Sequence, residues 1–240
     1  MDKKLIRIEE HTEIDLHLTW VLNNVCTNKC SYCTPSLYAG SNHNYDWAHT
    51  EAFLDALFSR YKHIRCSISG GEPTLSPFFK DLVKKFNNAN HRIWSSTNGV
   101  RTVEYFRDVA PYIDGLSFSY HVEYPDPDFI AKVNAADASS NTTIVTVRVM
   151  MHPQRWDECV NIYNQFKQQT NVHVIPVRIL PTYRDINTLI YTYTPEQLDW
   201  LAANSSRKTN RFDKQIKLLF NTKAYYNDNS PYTAQDLQRS

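Results

Sequence analysis

Residues 143–151 read TIVTVRVMM, an alternating stretch of apolar and polar residues. Because successive side chains of a strand point to opposite faces, the three valines share one face, and Thr146, Arg148 and Met150 share the other. The stretch GLSFSYH at 115–121 repeats this alternation. One face of the predicted sheet is therefore suited to covering helices, and the other face is suited to lining a polar cavity.

Strands of this kind alternate with helices along the chain. The predicted strands cover residues 13–22, 63–69, 92–97, 115–120, 142–151 and 172–180, and the predicted helices cover 50–61, 77–87, 103–109 and 156–168. This alternation indicates parallel βα units joined by right-handed crossovers. We therefore predict an α/β fold, a partial (β/α)6 TIM-like barrel, with an open doubly wound sheet as the alternative.

The predicted barrel domain covers residues 1–181, and residues 182–240 are predicted to be a short C-terminal extension packed on the same domain. In this extension, Thr194 is placed to cap a helix that begins at Pro195 and continues through Leu201. Gln197 completes a capping box with Thr194. The extension contains no cysteine.

Composition limits the class of protein. The chain has 240 residues, of which 42% are hydrophobic and 13% aromatic, as in packed globular domains. The formal net charge of +1 does not indicate a polyanionic partner. Neither a secretory signal nor a run long enough to cross a bilayer is evident, so we expect a cytoplasmic protein with no membrane partner.

Three of the five cysteines lie in CTNKCSYC at residues 26–33, while Cys66 and Cys159 stand alone in apolar-rich segments. An odd number in this distribution does not indicate a disulfide framework, so the thiols are expected to be reduced. Cys66 and Cys159 are expected to act as small buried hydrophobic residues. The clustered thiols are candidate metal ligands.

Thiolates suit zinc or an iron-sulfur cluster. A cluster of four irons offers four positions, so three cysteines leave one iron open to a substrate, as in catalytic metal sites. The alternative is a zinc site completed by His17, His43 or His49. The spacing of the cysteines alone does not distinguish the two.

Two further motifs follow the cysteine motif, each directly after a predicted strand: SGGEP at 69–73 and STNG at 96–99. This ordered set, together with an aromatic residue just before the last cysteine, resembles the radical S-adenosylmethionine (radical SAM) superfamily. The resemblance extends from about residue 15 to residue 180. The cysteine motif and GGEP together make this resemblance specific, whereas a lone GGE would be weak evidence for the family.

The resemblance implies that Cys26, Cys30 and Cys33 hold a catalytic 4Fe-4S cluster whose fourth iron takes the amino and carboxylate groups of SAM. It also implies that reduction of the cluster cleaves SAM to methionine and a 5'-deoxyadenosyl radical, which abstracts hydrogen from an unreactive carbon. The cofactors supply this chemistry, and the protein supplies orientation and exclusion of solvent.

The GGEP segment is implied to bind SAM. Gly70 and Gly71 let the backbone approach a ligand closely, and Glu72 is an acceptor for the SAM ammonium group. The alternative is a structural strand-to-helix turn, with Pro73 near the helix start.

Five further SAM contacts are implied by the resemblance. Tyr32 is similar to the aromatic residue near the adenine, although packing against the cluster loop is compatible with that role. The other four would bind the amino-acid part or the ribose of SAM: Thr97, Asn98, Ser119 and Arg148.

Three polar residues on the predicted strands or just after them have more than one interpretation. A guanidinium on a cavity face needs an anionic partner, so a salt bridge from Arg148 to Glu72 or Asp15 is the alternative to SAM binding. Arg178 has the same ambiguity and is a candidate substrate contact. His121 is a candidate substrate-binding group or proton carrier, although a lone histidine after a strand is often without function.

The favoured function is a single-cluster radical SAM enzyme acting on a peptide, a protein residue or a small metabolite, with a reductant such as flavodoxin or ferredoxin. Modification of a nucleoside or nucleic acid is an alternative compatible with the basic cluster RKTNRFDKQIK at 207–217, which a solvated helix face explains more simply. Activation of a glycyl-radical enzyme is a third possibility. A non-catalytic zinc or iron-sulfur module is the alternative from a different class.

Overall fold

The structure is a computed structural model that describes residues 14–40, 46–180 and 192–205, together with the backbone of two outlying strands. The strands are β1 (Leu5–Glu9), β2 (Leu16–Asn23), β3 (Ile64–Gly70), β4 (Arg92–Thr97), β5 (Gly115–His121), β6 (Ile144–Met151), β7 (His173–Arg178) and β8 (Lys223–Tyr226). The helices are α1 (Trp47–Arg60), α2 (Phe79–Asn88), α3 (Val103–Val109), α4 (Phe129–Ala138), α5 (Trp156–Gln169) and α6 (Pro195–Asn204).

Six parallel strands form one sheet in the order β2-β3-β4-β5-β6-β7. Each strand lies beside its sequence neighbour, whereas a doubly wound sheet reverses its order at a switch point. The sheet does not close, since β2 and β7 are its edges. The predicted partial (β/α)6 barrel is thus confirmed. β1 and β8 pair antiparallel as a separate two-stranded sheet, which was not predicted.

The two faces of the sheet differ as the alternation predicts. Val145, Val147 and Val149 are at most 1% exposed and belong to the main apolar core. Cys66 and Cys159 are fully buried in the same core, as expected for small apolar side chains. The opposite face carries the polar side chains of the strands and lines a cavity. The helices therefore cover one face and leave the polar face for ligands.

Helix α4 was not predicted, and its buried face shows why. Its core-facing residues are Phe129, Lys132, Val133 and Ala136, so a charged residue interrupts the apolar pattern. The ammonium group of Lys132 donates to Asp126 Oδ2 at 2.5 Å and to the carbonyl oxygen of Gly99 at 2.9 Å. A buried lysine is accepted here because its charge is paired and hydrogen-bonded.

The predicted start of α6 is confirmed. Thr194 Oγ1 accepts from the backbone N–H of Gln197, and the Gln197 side chain accepts from the backbone N–H of Thr194. The ring of Trp200 on this helix makes edge contacts with Trp156 and Tyr163 of α5. This first part of the C-terminal extension therefore packs on the barrel helices.

Two sequence features lie outside the described residues: the basic cluster at 207–217 and His43. In the described part of the chain, no helix combines the length and the apolar composition that crossing a membrane requires.

Candidate functional site

A cavity of about 250 Å³ lies at the carboxyl ends of the parallel strands. All three sequence motifs line it: the cysteine loop at 26–33, the turn at 69–73 and the turn at 96–98. Ser119 and His121, at the end of β5, complete its wall. The carboxyl ends of parallel strands are the usual ligand site of such folds. Segments that are distant in sequence thus meet where the motifs predict a site.

The three thiols of the cysteine loop fit a cationic metal group. Cys30 is 5% exposed, and Cys26 and Cys33 are half-buried. Burial raises the pKa of the Cys30 thiol to about 12 and also raises the pKa of the Cys26 thiol. Both are therefore neutral thiols near pH 7 in the metal-free chain, and a bound cation is what makes such groups thiolates.

The first cysteine is held from two sides. Asn98 Nδ2, just beyond β4, donates to Cys26 Sγ at 3.4 Å. The backbone N–H of Asn28 donates to the same sulfur, also at 3.4 Å. Hydrogen bonds to cluster sulfurs are among the factors that set the potential of iron-sulfur centres.

The other end of the loop is held by residues at and beyond the end of β5. The backbone N–H of Ser31 donates to Glu123 Oε2 at 2.9 Å, and the Tyr32 hydroxyl lies 2.6 Å from His121 Nδ1. Burial lowers the pKa of His121 to about 4 and raises the pKa of Tyr32, so both groups are neutral near pH 7. Tyr32 therefore packs within the cysteine loop, and its hydroxyl is the hydrogen-bond partner of His121. The role of Glu123 was not predicted.

The two motif glycines pack against the backbone that enters the cysteine loop. A Cβ on Gly70 would lie 2.3 Å from the carbonyl oxygen of Asn23. A Cβ on Gly71 would lie 2.3 Å from the carbonyl oxygen of Val25 and 2.4 Å from that of Leu37. We expected these glycines to admit a ligand; they line the cavity, but their closest neighbour is the protein's own backbone. They therefore bring the turn and the loop together.

Glu72 is 1% exposed and joins two of the motifs. Its Oε1 accepts from the backbone N–H and the hydroxyl of Thr74 at 3.1 and 2.5 Å and from the hydroxyl of Thr97 at 2.8 Å. Its Oε2 accepts from the backbone N–H of Asn98 at 2.5 Å. Burial raises the pKa of Glu72, and these hydrogen bonds oppose the rise. Because a carboxylate oxygen accepts more than one bond, Oε2 keeps capacity for a donor in the cavity.

The structural interpretation of the GGEP turn also holds. Pro73 begins a short 3₁₀ helix, Pro73–Leu75, and Glu72 is its N-cap. The turn is therefore both a helix start and one wall of the cavity.

Asn23 supports the same turn and was missed in the sequence. Its Nδ2 donates to the carbonyl oxygen of Glu72 at 2.8 Å. Its Oδ1 is buried and has no hydrogen-bond partner among the described residues. A buried acceptor without a partner is costly, and ligand sites are one setting where it is found. The available signal was an amide at the end of the strand that leads into the cysteine motif.

Ser119 and Arg148 line different cavities. Ser119 borders the 250 Å³ cavity, whereas Arg148 borders a second cavity of about 610 Å³ on the concave face of the sheet. The two are register partners on β5 and β6, so they lie side by side. Arg148 makes no ion pair to Glu72, which is bonded as described, nor to Asp15, which accepts two backbone N–H groups instead. The salt bridge that was the alternative to SAM binding by Arg148 is therefore not formed with either acid.

The second cavity adjoins the first, because Ser69 and Ser96 line both. Other hydroxyl groups on its wall belong to Ser67, Ser117 and Thr146, and its described lining contains no aspartate or glutamate. Arg178 is not part of this lining, and its guanidinium lies 5.3 Å from the centroid of the Tyr193 ring. The concave face therefore offers space lined by hydroxyl groups and by the guanidinium groups of Arg65 and Arg148, next to the motif cavity.

The described histidines of the zinc interpretation do not line the motif cavity. His17 lies near the start of β2 and borders the larger cavity. His49 bonds to Asp46 through Nδ1 at 2.9 Å, and its side chain is 90% exposed. Within the described ranges, no group of three or more histidine, cysteine or acidic side chains is arranged to hold a single metal ion.

A model of the radical SAM superfamily matches residues 20–177. The chain therefore belongs to the radical SAM superfamily, whose members are enzymes that use a 4Fe-4S cluster and SAM. A comparison with curated proteins finds no match.

Solved structures are similar to the chain in fold. Native anSMEcpe with bound AdoMet and Kp18Cys peptide is 17% identical, with a TM-score of 0.57, over 78% of this chain and 58% of that chain. Native anSMEcpe with bound AdoMet is 15% identical, with a TM-score of 0.57, over 85% and 61%. TYW1 with a lysine-pyruvate adduct is 15% identical, with a TM-score of 0.47, over 79% and 72%. The chain spans less than two thirds of the length of these anSMEcpe chains.

Proposed function

We propose that the chain is a single-cluster radical SAM enzyme, with Cys26, Cys30 and Cys33 as the ligands of its 4Fe-4S cluster. The meeting of the cysteine, GGEP and STNG motifs around one cavity carries this proposal. When bound, the reduced cluster and SAM supply methionine and a 5'-deoxyadenosyl radical that abstracts hydrogen from a substrate carbon.

The residues at the strand ends bind and orient SAM. Glu72 Oε2 can accept a further hydrogen bond, and it accepts from the SAM ammonium group. Thr97 and the backbone N–H of Asn98 hold the Glu72 carboxylate in place. Ser119 lines the same cavity, and its register partner Arg148 borders the adjoining larger cavity, whose described lining contains no acidic side chain. A guanidinium in that position suits the carboxylate of SAM.

The remaining SAM contacts come from the cavity wall. Tyr32, Gly70, Gly71 and Pro73 all border the cavity. The Tyr32 ring is held by its bond to His121, which fixes an aromatic surface beside the cysteines. We assign this surface to the adenine of SAM.

The substrate occupies the larger cavity on the concave face. Its two shared serines join it to the SAM cavity, so a substrate carbon there is within reach of a radical formed at the motif site. A peptide, a protein residue or a small metabolite is the substrate class. One of the anSMEcpe structures holds AdoMet together with a peptide, which supports including peptides. A cytoplasmic location and a reductant such as flavodoxin or ferredoxin complete the proposal, because the clustered thiols must stay reduced.

The test compares two cysteine variants under anaerobic conditions. The chain, Cys30→Ala and Cys159→Ala are each reconstituted with iron and sulfide, treated with dithionite and SAM, and assayed for bound iron and for 5'-deoxyadenosine. We expect Cys30→Ala to lose both signals. Cys159→Ala is the matched control and should keep both signals, since its thiol is also buried but lies on α5 in the main apolar core.

Several outcomes would contradict the proposal. Equal loss in both variants would remove the distinction between cluster and core cysteines. A colourless protein that binds zinc instead of iron would make the site a zinc module. If the cluster forms and is reduced but no 5'-deoxyadenosine appears, a SAM-binding titration separates an enzyme that needs its substrate from a protein that does not bind SAM.

A further inference from the structure

We infer that Asn98 is a positioning residue whose side-chain amide donates to the Cys26 sulfur and thereby raises the reduction potential of the bound cluster. This inference rests on the proposed function to the extent that Cys26 must be a cluster ligand. It assigns Asn98 an action on the cluster in addition to the SAM contact proposed for it.

The orientation of the Asn98 amide follows from its other hydrogen bonds. Its Oδ1 accepts from the backbone N–H of Val100 at 3.0 Å, so the oxygen of the amide points toward the segment that follows Asn98. The Nδ2 end then faces the cysteine loop, where it lies 3.4 Å from Cys26 Sγ and 3.5 Å from Thr27 Oγ1. Exchanging the two ends would place a donor against the Val100 N–H and an acceptor against the sulfur.

The backbone of Asn98 is fixed independently of its side chain. Its N–H donates to Glu72 Oε2 at 2.5 Å, and Glu72 is held by Thr74 and Thr97. Every substitution except proline keeps this N–H. Asn98→Asp also keeps the acceptor for the Val100 N–H, so it removes the donor to the sulfur and retains both bonds of the turn, whereas Asn98→Ala loses the bond to Val100 as well.

The sign of the effect follows from the charge on the sulfur. Reduction adds negative charge to a cluster and its thiolates, and a donor to a ligand sulfur stabilises that added charge. The oxidised cluster gains less from the same bond. Loss of the Asn98 donor should therefore make reduction harder and shift the potential to a more negative value.

The experiment is an EPR-monitored redox titration of the reconstituted protein without SAM, so that neither SAM binding nor turnover enters the result. Asn98→Asp is the sharpest variant, since it keeps an acceptor for Val100 but loses the donor and adds negative charge. Asn98→Ala removes the donor without adding charge. We expect the potential to fall in the order parent chain, Asn98→Ala, Asn98→Asp.

Asn28→Ala is the matched control. Asn28 also lines the cavity, but its bond to Cys26 comes from the backbone N–H, which the substitution keeps. Its potential should match that of the parent chain. A shift in Asn28→Ala as large as that in Asn98→Ala would overturn the inference.

Unchanged potentials in both Asn98 variants, at full iron and sulfide content, would overturn the inference and leave the proposed function standing. Poor cluster incorporation in both variants, with a circular dichroism spectrum like that of the parent chain, would also overturn it, because Asn98 would then act in assembly. A parent chain that takes up no iron-sulfur cluster would instead refute the proposed function.

Discussion

Gly71 has no room for a side chain, and its neighbours are backbone atoms. The carbonyl oxygens of Val25 and Leu37 occupy the space that its Cβ would take. Backbone atoms move only if the whole loop shifts, whereas a side chain often turns aside. Gly40 provides the contrast, since the three atoms nearest to a Cβ there all belong to the side chain of Asn24.

We therefore predict that Gly71→Ala lowers the free energy of unfolding by about 1–3 kcal/mol, the usual range for overpacking. It should also reduce the iron taken up on reconstitution, because the shifted loop carries the cysteines. Urea denaturation and an iron assay measure the two effects. Gly40→Ala is the control and should show a smaller loss of both; if the two variants behave alike, the backbone contact at Gly71 is not what matters.

Glu72 is a second residue whose structural role can be tested, because its carboxylate joins the GGEP and STNG turns by hydrogen bonds. Glu72→Gln replaces one acceptor oxygen by an NH₂ group, which then faces the donors of Thr74, Thr97 or Asn98. We predict a loss of about 1–3 kcal/mol in unfolding free energy, as for a buried group left without its partner. Affinity for SAM, measured by equilibrium dialysis, should fall as well.

The control for this substitution is Glu104→Gln on the exposed surface of α3. It makes the same chemical change outside the site and should cost less stability than Glu72→Gln, because Glu104 interacts chiefly with the first turn of α3. Unchanged stability and SAM affinity in Glu72→Gln would show that the buried carboxylate is dispensable.

At the scale of elements, His91 ties the approach to β4 to the start of β3. Its Nδ1 accepts from the backbone N–H of Ile64 at 3.4 Å, and its ring lies 4.2 Å from that of Phe58 on α1. Burial is the larger cause that lowers the pKa of His91 below 6.5, and the charge of His63 adds to it. The imidazole is therefore neutral in the folded chain.

This lowered pKa predicts a loss of stability in acid. Below pH 6.5 the unfolded chain binds a proton at His91 that the folded chain does not, so stability falls as pH falls, with a slope of at most about 1.4 kcal/mol per pH unit. His91→Asn cannot titrate. The difference in unfolding free energy between the parent chain and the variant, measured by urea denaturation from pH 7.5 to pH 5, should therefore shrink toward acid. A constant difference would contradict this account.

The sequence predicted elements well where one face was uniformly apolar. The strands of the sheet were found because alternation is visible within a few residues, and their ends differ from the observed ones by at most three residues. Helix α4 was missed because Lys132 stands at a core-facing position, and the pairing that makes this acceptable involves Asp126 and Gly99, which lie outside the helix. A local pattern does not contain that information.

The candidate site was predictable in its motifs but not in its internal bonds. The grouping of cysteines, GGEP and STNG followed from their positions after strands. The bonds from Asn98 to Cys26 and from Asn23 to Glu72 did not follow, since they join residues 72 and 49 positions apart. Only the folded chain brings such partners together.

At the scale of the whole molecule, the sequential order of six strands creates one continuous concave face. The motif cavity occupies its carboxyl end, and the larger cavity extends from it along the sheet. The alternation of strands and helices predicted this architecture. The pairing of β1 with β8 could not be predicted, because the two strands are far apart in sequence and the pattern of residues in a strand does not show which strand it pairs with.

The cysteine loop is hydrogen-bonded to the ends of two strands. Asn98, just beyond β4, bonds to Cys26, and His121, at the end of β5, bonds to Tyr32. The spacing of the thiols is therefore a property of the sheet as much as of the loop. A slip of one residue between these strands would move one anchor relative to the other by about 3.3 Å, whereas metal–ligand distances tolerate about 0.2 Å. If these cysteines hold the cluster as proposed, the brown colour of the reconstituted protein shows that β4 and β5 have paired in the correct register.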